Sequence, residues 1–310
     1  MRRLVIYNPA AGKKEAYRKI QDQIRAYCQK EELPLEEVLT QYPGHAREIT
    51  EQAVQTGEPM RIYGVGGDGT LSEIAGAAAG CENIQVGIFP VGSGNDYIRT
   101  FGTQEQFLQV KAQMNARPLK VDMIKTEKML SLNLCSAGLD AAVALHMTKF
   151  KKLPLISGSM AYNLALLKCV LGRMGSSLTV TIDSQPPIQG NFMFALAGSG
   201  QYYGGGYRGA PAADPADGLL DFVLIRKMGR LRLAKLLPEY KQGKHLESKS
   251  FQDLLIFMRG KRMEITCEES VVVNFDGECQ PLTHISFEVL PQALNFLVPG
   301  FRNQPNPENS

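Results

Sequence analysis

Gly64-Val65-Gly66-Gly67-Asp68-Gly69-Thr70-Leu71-Ser72-Glu73-Ile74-Ala75 is the stretch whose reading decides the fold. The apolar run Met60-Arg61-Ile62-Tyr63-Gly64-Val65 leading into it reads as a short buried strand, and the alanine-rich run through Ala79 reads as a helix. A glycine-rich turn between strand and helix lets backbone N–H groups close around one spot. The helix N-terminus adds partial positive charge there, so the turn suits a phosphate. Thr70 and Glu73 have the spacing of a capping box. Asp68 places a carboxylate in this anion-friendly turn, which makes chemical sense if Mg²⁺ accompanies the phosphate. Taken alone, the turn also fits a strand–helix loop that binds nothing.

Working outward, the first 120 residues alternate strand and helix patterns. Strands are expected over Leu4–Tyr7, Leu35–Leu39, Arg61–Val65 and Val86–Pro90, and helices over Lys14–Gln29, Ala46–Thr56, Leu71–Ala79 and Gln104–Asn115. That alternation implies a mostly parallel sheet covered on both faces, with ligands at the carboxyl ends of its strands. From about Val121 the period shifts to two: Leu178–Ile182, Phe192–Ala197, Leu220–Leu224, Met263–Thr266, Val271–Phe275 and Ile285–Leu290 alternate, with turns at Asp183-Ser184, Asp217-Gly218 and Asp276-Gly277. An antiparallel β-sandwich domain over 121–291 is expected, with helical insertions at Ser159–Leu171 and Leu231–Gln242. Residues 303–310 read as a frayed polar tail.

Composition narrows the function classes. The 310 residues are 44% hydrophobic and 21% charged, an ordinary balance for a globular protein. Six cysteines without a CxxC pair read as reduced, which favours the cytoplasm over a disulfide framework or a zinc site. Met1-Arg2-Arg3 precedes only a short apolar run, too short for a secretory signal, and the longest apolar stretch, Leu153–Met174, is interrupted by polar and charged residues. The net charge is +3, yet between Arg226 and Arg262 eleven Lys/Arg stand against three acids. Lys149, Lys151 and Lys152 form a second basic cluster. Beside apolar stretches, these suit an anionic membrane surface with the protein peripherally attached; nucleic acid is disfavoured because no basic motif interleaved with aromatics is present.

Three glycine turns follow successive predicted strands: Asn8-Pro9-Ala10-Ala11-Gly12-Lys13, the GGDGT turn, and Val91-Gly92-Ser93-Gly94-Asn95-Asp96. The first lacks the spacing of a Walker A loop. Thr40, after the second strand, offers a hydroxyl on the same side. Together these turns point to a nucleotide. In the β domain, Ala212-Ala213-Asp214-Pro215-Ala216-Asp217-Gly218-Leu219 has the oxygen-rich composition of a Mg²⁺ loop, and Asp276-Gly277-Glu278 could present a general base; each also reads as a plain β-turn.

These residues, in this order, resemble the diacylglycerol kinase catalytic-domain family, which includes sphingosine and ceramide kinases. The carriers are Asn8-Pro9 with Gly12, GGDGT with Glu73, Gly92-Ser93-Gly94-Asn95-Asp96, Gly204-Gly205-Gly206, Pro211 with Asp217-Gly218-Leu219-Leu220-Asp221, and Asp276-Gly277-Glu278. The resemblance implies an N-terminal α/β domain akin to NAD kinase (1–120, rejoined by about 292–302), a C-terminal β-sandwich domain for the lipid, and ATP in the cleft between them. It assigns ATP to Asn8, Pro9, Ala10, Ala11, Gly12, Thr40, Gly66, Gly67, Asp68, Gly69, Thr70, Glu73, Ser93 and Asp96. It assigns Mg²⁺ to Asp217 with the carbonyls of Asp214 and Leu219, with Asp122 in the same network, and the general base to Glu278. The implied reaction is transfer of the ATP γ-phosphoryl group to a lipid hydroxyl, most simply that of diacylglycerol. A phosphatidylglycerol, sphingoid-base or polyprenol acceptor is also open. Ser72 stands where the family often has asparagine, and Asp214-Pro215 is atypical of the metal loop. A small-molecule kinase of the NAD kinase type and a non-catalytic nucleotide-binding regulator are the competing readings. An exposed strand edge in the β domain offers a route to a homodimer.

Overall fold

The computed structural model describes residues 1–150, 158–172 and 174–300, without the side chains of 148, 149, 158, 159 and 161–163. Lys151, Lys152, the first part of the Leu153–Met174 stretch and the 303–310 tail therefore lie outside the described residues, as does the side chain of Lys149. The chain divides into two compact units, Met1–Lys120 with the chain from Leu294 onward, and Val121–Ala293.

In the first unit the order is β1 (Arg2–Tyr7), α1 (Lys14–Lys30), β2 (Glu36–Leu39), α2 (His45–Gln55), β3 (Met60–Gly66), α3 (Asp68–Ala78), β4 (Ile84–Pro90), α4 (Gln104–Leu108) and α5 (Val110–Met114). β5 (Arg117–Lys125) then carries the chain onward. β1 pairs in parallel with β2 and β3, and β3 with β4. The strands read as continuous apolar runs because both of their faces are covered. On one face Val5, Tyr7, Tyr63, Val65 and Phe89 pack with Tyr17, Ile20, Ile24 and Cys28 of α1. That spacing of three, four and four residues draws one apolar stripe down the helix. On α3, Leu71, Ile74, Ala75 and Ala78 are buried in turn, and the Ile74 side chain reaches Gly64 of β3. Fully burying a residue such as Ile24 contributes about 2 kcal/mol.

Two local expectations change. The stretch from Gln104 to Asn115 is not one helix. Gln109 is extended, Thr103 and Gln106 make a capping box that starts α4, and the Gln104 side chain is held by the Pro90 carbonyl. α3 begins at Asp68 with Gly67 before it and no side-chain cap, so Thr70 and Glu73 do not form a capping box. Their side chains are taken by other segments: Thr70 Oγ1 accepts from Asn8 Nδ2 at 2.9 Å, and Glu73 accepts the N–H groups of Gly44 and Ala46.

The second unit contains β6 (Leu130–Ser131), β7 (Leu134–Gly138), α6 (Leu139–Phe150), α7 (Gly158–Leu171), β8 (Ser176–Ile182), β9 (Ile188–Gly198), β10 (Leu220–Arg226), α8 (Arg230–Lys241), β11 (Leu255–Gly260), β12 (Arg262–Phe275) and most of β13 (Glu278–Val298). Strands run β11-β10-β9-β7-β12-β13, with β8 joining β9 and β12, and these pairings are antiparallel. The two alternating segments Met263–Thr266 and Val271–Phe275 belong to one strand, β12, whose register shifts between them. Inward residues such as Val180, Phe222, Met263, Val273 and Phe287 make one core, while Met193, Leu196, Val223, Leu236 and Phe251 make another on the side of α8. The last turn of β13 returns to the first unit, where Asn295 and Phe296 pair in parallel with Gln85 and Val86 of β4.

Candidate nucleotide and metal sites

All three glycine turns of the first unit leave the carboxyl ends of β1, β3 and β4, and they are bonded to one another. The Asn8 amide donates to the Val65 carbonyl at 2.9 Å, and its side chain accepts from Ala10 while donating to Thr70. Gly12 adopts φ +66°, and a Cβ there would stand 1.8 Å from the Val91 carbonyl oxygen, so only glycine closes this turn onto the third. Val91 and Gly92 both donate to the Gly66 carbonyl, at 2.8 and 3.1 Å. Asp68 ties the third turn from the other side: its Oδ1 accepts the N–H groups of Asp96 at 2.7 Å and Tyr97 at 3.2 Å. Burial raises the Asp68 pKa against the lowering effect of those amides. Asp96 is buried and pairs with Arg99 at 3.4 Å.

The structure thus brings Asn8, Gly12, Gly66–Thr70 and Asp96 together, with Pro9, Ala10 and Ala11 on the first turn and Ser93 exposed at the tip of the third. Leu71 is the first residue of α3 to donate to the preceding turn, at the Gly67 carbonyl. The amides before it form a helix N-terminus suited to phosphate oxygens. Thr40 extends the β2 ladder by donating to the Tyr7 carbonyl at 2.8 Å, which sets it beside the first turn. Glu73 differs from its expected role. Both of its oxygens are committed to Gly44 and Ala46, at 3.0 and 3.1 Å, so it fastens the N-terminus of α2.

In the second unit Asp122 is buried, accepting from Gly218 and Gln292, each at 2.7 Å. Asp217 accepts from Leu219 at 3.0 Å and is ion-paired with Arg259, whose Nε also donates to the buried Asp221 at 2.9 Å. Asp214 accepts from Ala216, and the Pro215 carbonyl is taken by Asp122 N–H. Burial raises the pKa of Asp122, with Asp217 and Asp214 adding to the rise, and burial pushes Asp221 to about 6 despite Arg259. Among the described residues no three His, Cys, Asp or Glu side chains are grouped as ligands of one ion. A Mg²⁺ here would rest on Asp217 and main-chain carbonyls. The oxygen chemistry of the set fits a hard cation: Arg259 pairs with Asp217 and Asp221, and Asp221 Oδ2 is buried without a hydrogen-bond partner.

Glu278 is exposed at the start of β13, directly after Asp276 and Gly277, whose φ values of 49° and 104° make the tight hairpin turn. The Asp276 carboxylate accepts from Leu134 at 2.9 Å, so this aspartate shapes the turn.

One feature escaped the sequence reading. A cavity of about 540 Å³, its open mouth included, is lined by α6, α7 and α8 and the sheet beneath them. Its walls are apolar apart from Asp140 and the hydroxyls of Tyr203, Tyr207 and Tyr240. Gly204, Gly205 and Gly206 all have positive φ, a turn that sets Tyr203 against Tyr207, and Tyr203 and Tyr240 share a 3.0 Å hydrogen bond. Burial pushes Asp140 up to about 6. The signal available was a lone acid inside the apolar run Leu134–Leu145.

With this geometry in place, the likeness to known proteins is specific. Residues 2–126 match the diacylglycerol kinase catalytic domain and residues 133–298 the YegS C-terminal NAD kinase beta sandwich-like domain. The chain belongs to the diacylglycerol kinase catalytic-domain family. Within this lipid kinase family, a diacylglycerol kinase of Staphylococcus carnosus is 25% identical over 297 residues, covering 95% of this chain and 94% of the relative. A protein of Pseudomonas aeruginosa named "Probable lipid kinase YegS-like" is 30% identical over 265 residues, 83% and 82% of the two chains. The crystal structure of a diacylglycerol kinase from Bacillus anthracis superposes with a TM-score of 0.70 at 21% identity, covering 96% and 97%. That likeness extends the fold, mixed α/β with a C-terminal β-sandwich-like domain, over nearly the whole chain.

Proposed function

We propose that this lipid kinase family member transfers the γ-phosphoryl group of ATP to a lipid hydroxyl, with diacylglycerol as acceptor and phosphatidic acid as product. The linked glycine turns supply the amides and the helix N-terminus that a triphosphate needs, on a parallel sheet of the kind that carries nucleotides at its carboxyl edge. The observation that carries the lipid half is the apolar cavity of the second unit, whose leucine, isoleucine and aromatic lining suits acyl chains and whose few polar groups suit a hydroxyl-bearing head. Glu278 is the general base in this reading, taking the hydroxyl proton as the oxygen attacks phosphorus. Asp217, Asp122 and the carbonyls of Asp214 and Leu219 would hold Mg²⁺, which when bound neutralises charge in the loop.

The NAD kinase alternative predicts an Asn–Glu pair that grips a ribose, where this chain has Asn95-Asp96. Here Asn95 donates to the Gly92 carbonyl at 2.8 Å and Asp96 faces Arg99, so both serve the turn.

The same reading includes contact with a bilayer. Met160, Leu164, Leu167 and Leu171 recur along α7 and are exposed, and Leu231, at the start of α8, is 82% exposed. Arg230 joins the two helices through the carbonyls of Val170, Leu171 and Gly172. Lys168, Arg230, Arg232 and Lys235 border these leucines, a combination suited to an anionic lipid surface. No helix among the described residues is long and apolar enough to cross a membrane.

A cavity-filling substitution tests the proposal. Leu237→Trp should raise KM for long-chain diacylglycerol about tenfold while leaving KM for ATP unchanged. Equal effects on both substrates, or none on the lipid, would contradict an acyl site there.

A further inference from the structure

The loop between β2 and α2 carries an aromatic residue whose placement the phosphate chemistry does not explain. Tyr42 is 49% exposed, yet it is not loose. One face of its ring stacks on His45 with centroids 4.6 Å apart and planes 13° apart. Its hydroxyl donates to Glu48 at 2.7 Å, and His45 Nδ1 in turn accepts from the Gln41 amide at 3.1 Å. Isolated exposed aromatics are common on protein surfaces. A ring fixed at one face and at its hydroxyl, with the remaining surface open, is a prepared stacking platform.

The platform stands on the edge of the sheet that the nucleotide would use. Thr40, two residues before Tyr42, continues the parallel ladder onto Tyr7, and the first glycine turn begins at the next residue, Asn8. The loop is also fastened to α3, the helix that starts at the GGDG turn, through Glu73 and the amides of Gly44 and Ala46. Glu73 lies about 7.5 Å of helix rise beyond Asp68. In parallel α/β sheets a nucleotide places its phosphates at a strand–helix turn, and its sugar and base reach toward the end of a neighbouring strand. With phosphates at the turns after β1, β3 and β4, the ends of β2 and β13 flank them, and the fixed aromatic platform stands at the end of β2.

We propose that Tyr42, backed by His45, stacks on the purine ring of the nucleotide, and that Glu73 is the positioning residue that fixes this platform relative to the phosphate turns. The proposal rests on the nucleotide reading of the first unit. Stacking of a base on an aromatic side chain is worth about 5- to 160-fold in affinity. It acts on the base alone, so it is separable from phosphate binding.

The test compares MgATP with inorganic tripolyphosphate, which has no base, by calorimetric titration of the full chain. Tyr42→Ala should weaken ATP at least fivefold and leave tripolyphosphate unchanged, and Tyr42→Phe should bind both like the parent. The chain has no tryptophan, so Tyr42→Trp adds a single indole whose emission ATP should quench and tripolyphosphate should not. Unchanged ATP affinity in Tyr42→Ala would overturn the stacking role, as would equal losses for both ligands, since these would mean that the loop only supports the turns. Failure of the parent protein to bind either ligand would instead overturn the nucleotide reading itself.

Discussion

The side-chain amide of Asn8 donates to the Thr70 hydroxyl at 2.9 Å, fastening the turn after β1 to the helix that leaves the turn after β3. This bond takes the hydroxyl that the local sequence pattern would have used as a cap, and it makes the first two glycine turns one object.

Two glycines separate fold from ligand in that object. At Gly12 a Cβ would meet the Val91 carbonyl at 1.8 Å and the backbone has φ +66°. Gly12→Ala should destabilise by about 3 kcal/mol or more and abolish ATP binding. Gly69 has nothing within 4 Å of a built Cβ. Gly69→Ala should keep or raise the melting temperature by a small margin, since alanine favours the helix by about 1 kcal/mol. It should nevertheless weaken ATP at least tenfold, because the methyl group stands where a phosphate approaches. Calorimetry and thermal melts of the two variants check this; unchanged ATP affinity in Gly69→Ala would place the ligand elsewhere.

Glu73 accepts the amides of Gly44 and Ala46 at the N-terminus of α2, so in the proposed account it acts on the nucleotide through that loop. Glu73→Ala should cost about 1–2 kcal/mol of stability, as loss of a helix cap does, and raise KM for ATP with a smaller effect on kcat. Glu73→Gln, which keeps one acceptor oxygen, should recover part of both.

Legibility in the sequence followed locality. β1, β3 and β4 are short apolar runs that end in glycine turns, so their place, and the position of those turns at the carboxyl ends of the strands, could be read from neighbours in the chain. Glu73 could not be read the same way, because its partners Gly44 and Ala46 lie almost thirty residues upstream. The Arg259 pairs with Asp217 and Asp221 span about forty residues and were likewise invisible. The cavity was hidden for a related reason: its walls are drawn from Leu139 to Phe251, and each lining residue alone reads as ordinary core. The break at Gln109 reflects tertiary demand, since Gln104 is held by the carbonyl of Pro90.

Acid stability is set by groups of opposite sign. Burial lowers the His245 pKa to about 4 from 6.5. Its neutral form is favoured in the fold, so its contribution is complete above pH 6.5 and is lost as pH falls through 4, up to about 3 kcal/mol. Burial raises Asp140 and Asp221 from 3.8 to about 6. The fold takes up their protons more readily, so these two strengthen it as pH falls from above 6 toward 4. Urea midpoints should therefore stay nearly level between pH 7 and 5. In His245→Gln the midpoint should rise as pH falls over the same range; a profile parallel to the parent would contradict the assignment.

The acidic loop gives a prediction for metal. Millimolar Mg²⁺, compared with Na⁺ at equal ionic strength, should raise the melting temperature by about 2–4 °C for each kcal/mol of binding energy. Asp217→Asn should remove the shift. An equal shift in that variant would move the ion away from Asp217.

The central claim is the destination of the γ-phosphoryl group. Incubating the protein with γ-labelled MgATP and mixed micelles of diacylglycerol should move label into phosphatidic acid, with Glu278→Gln losing turnover at least a hundredfold while still binding ATP. Label appearing on NAD or only in inorganic phosphate, with none on any lipid alcohol, would contradict the account.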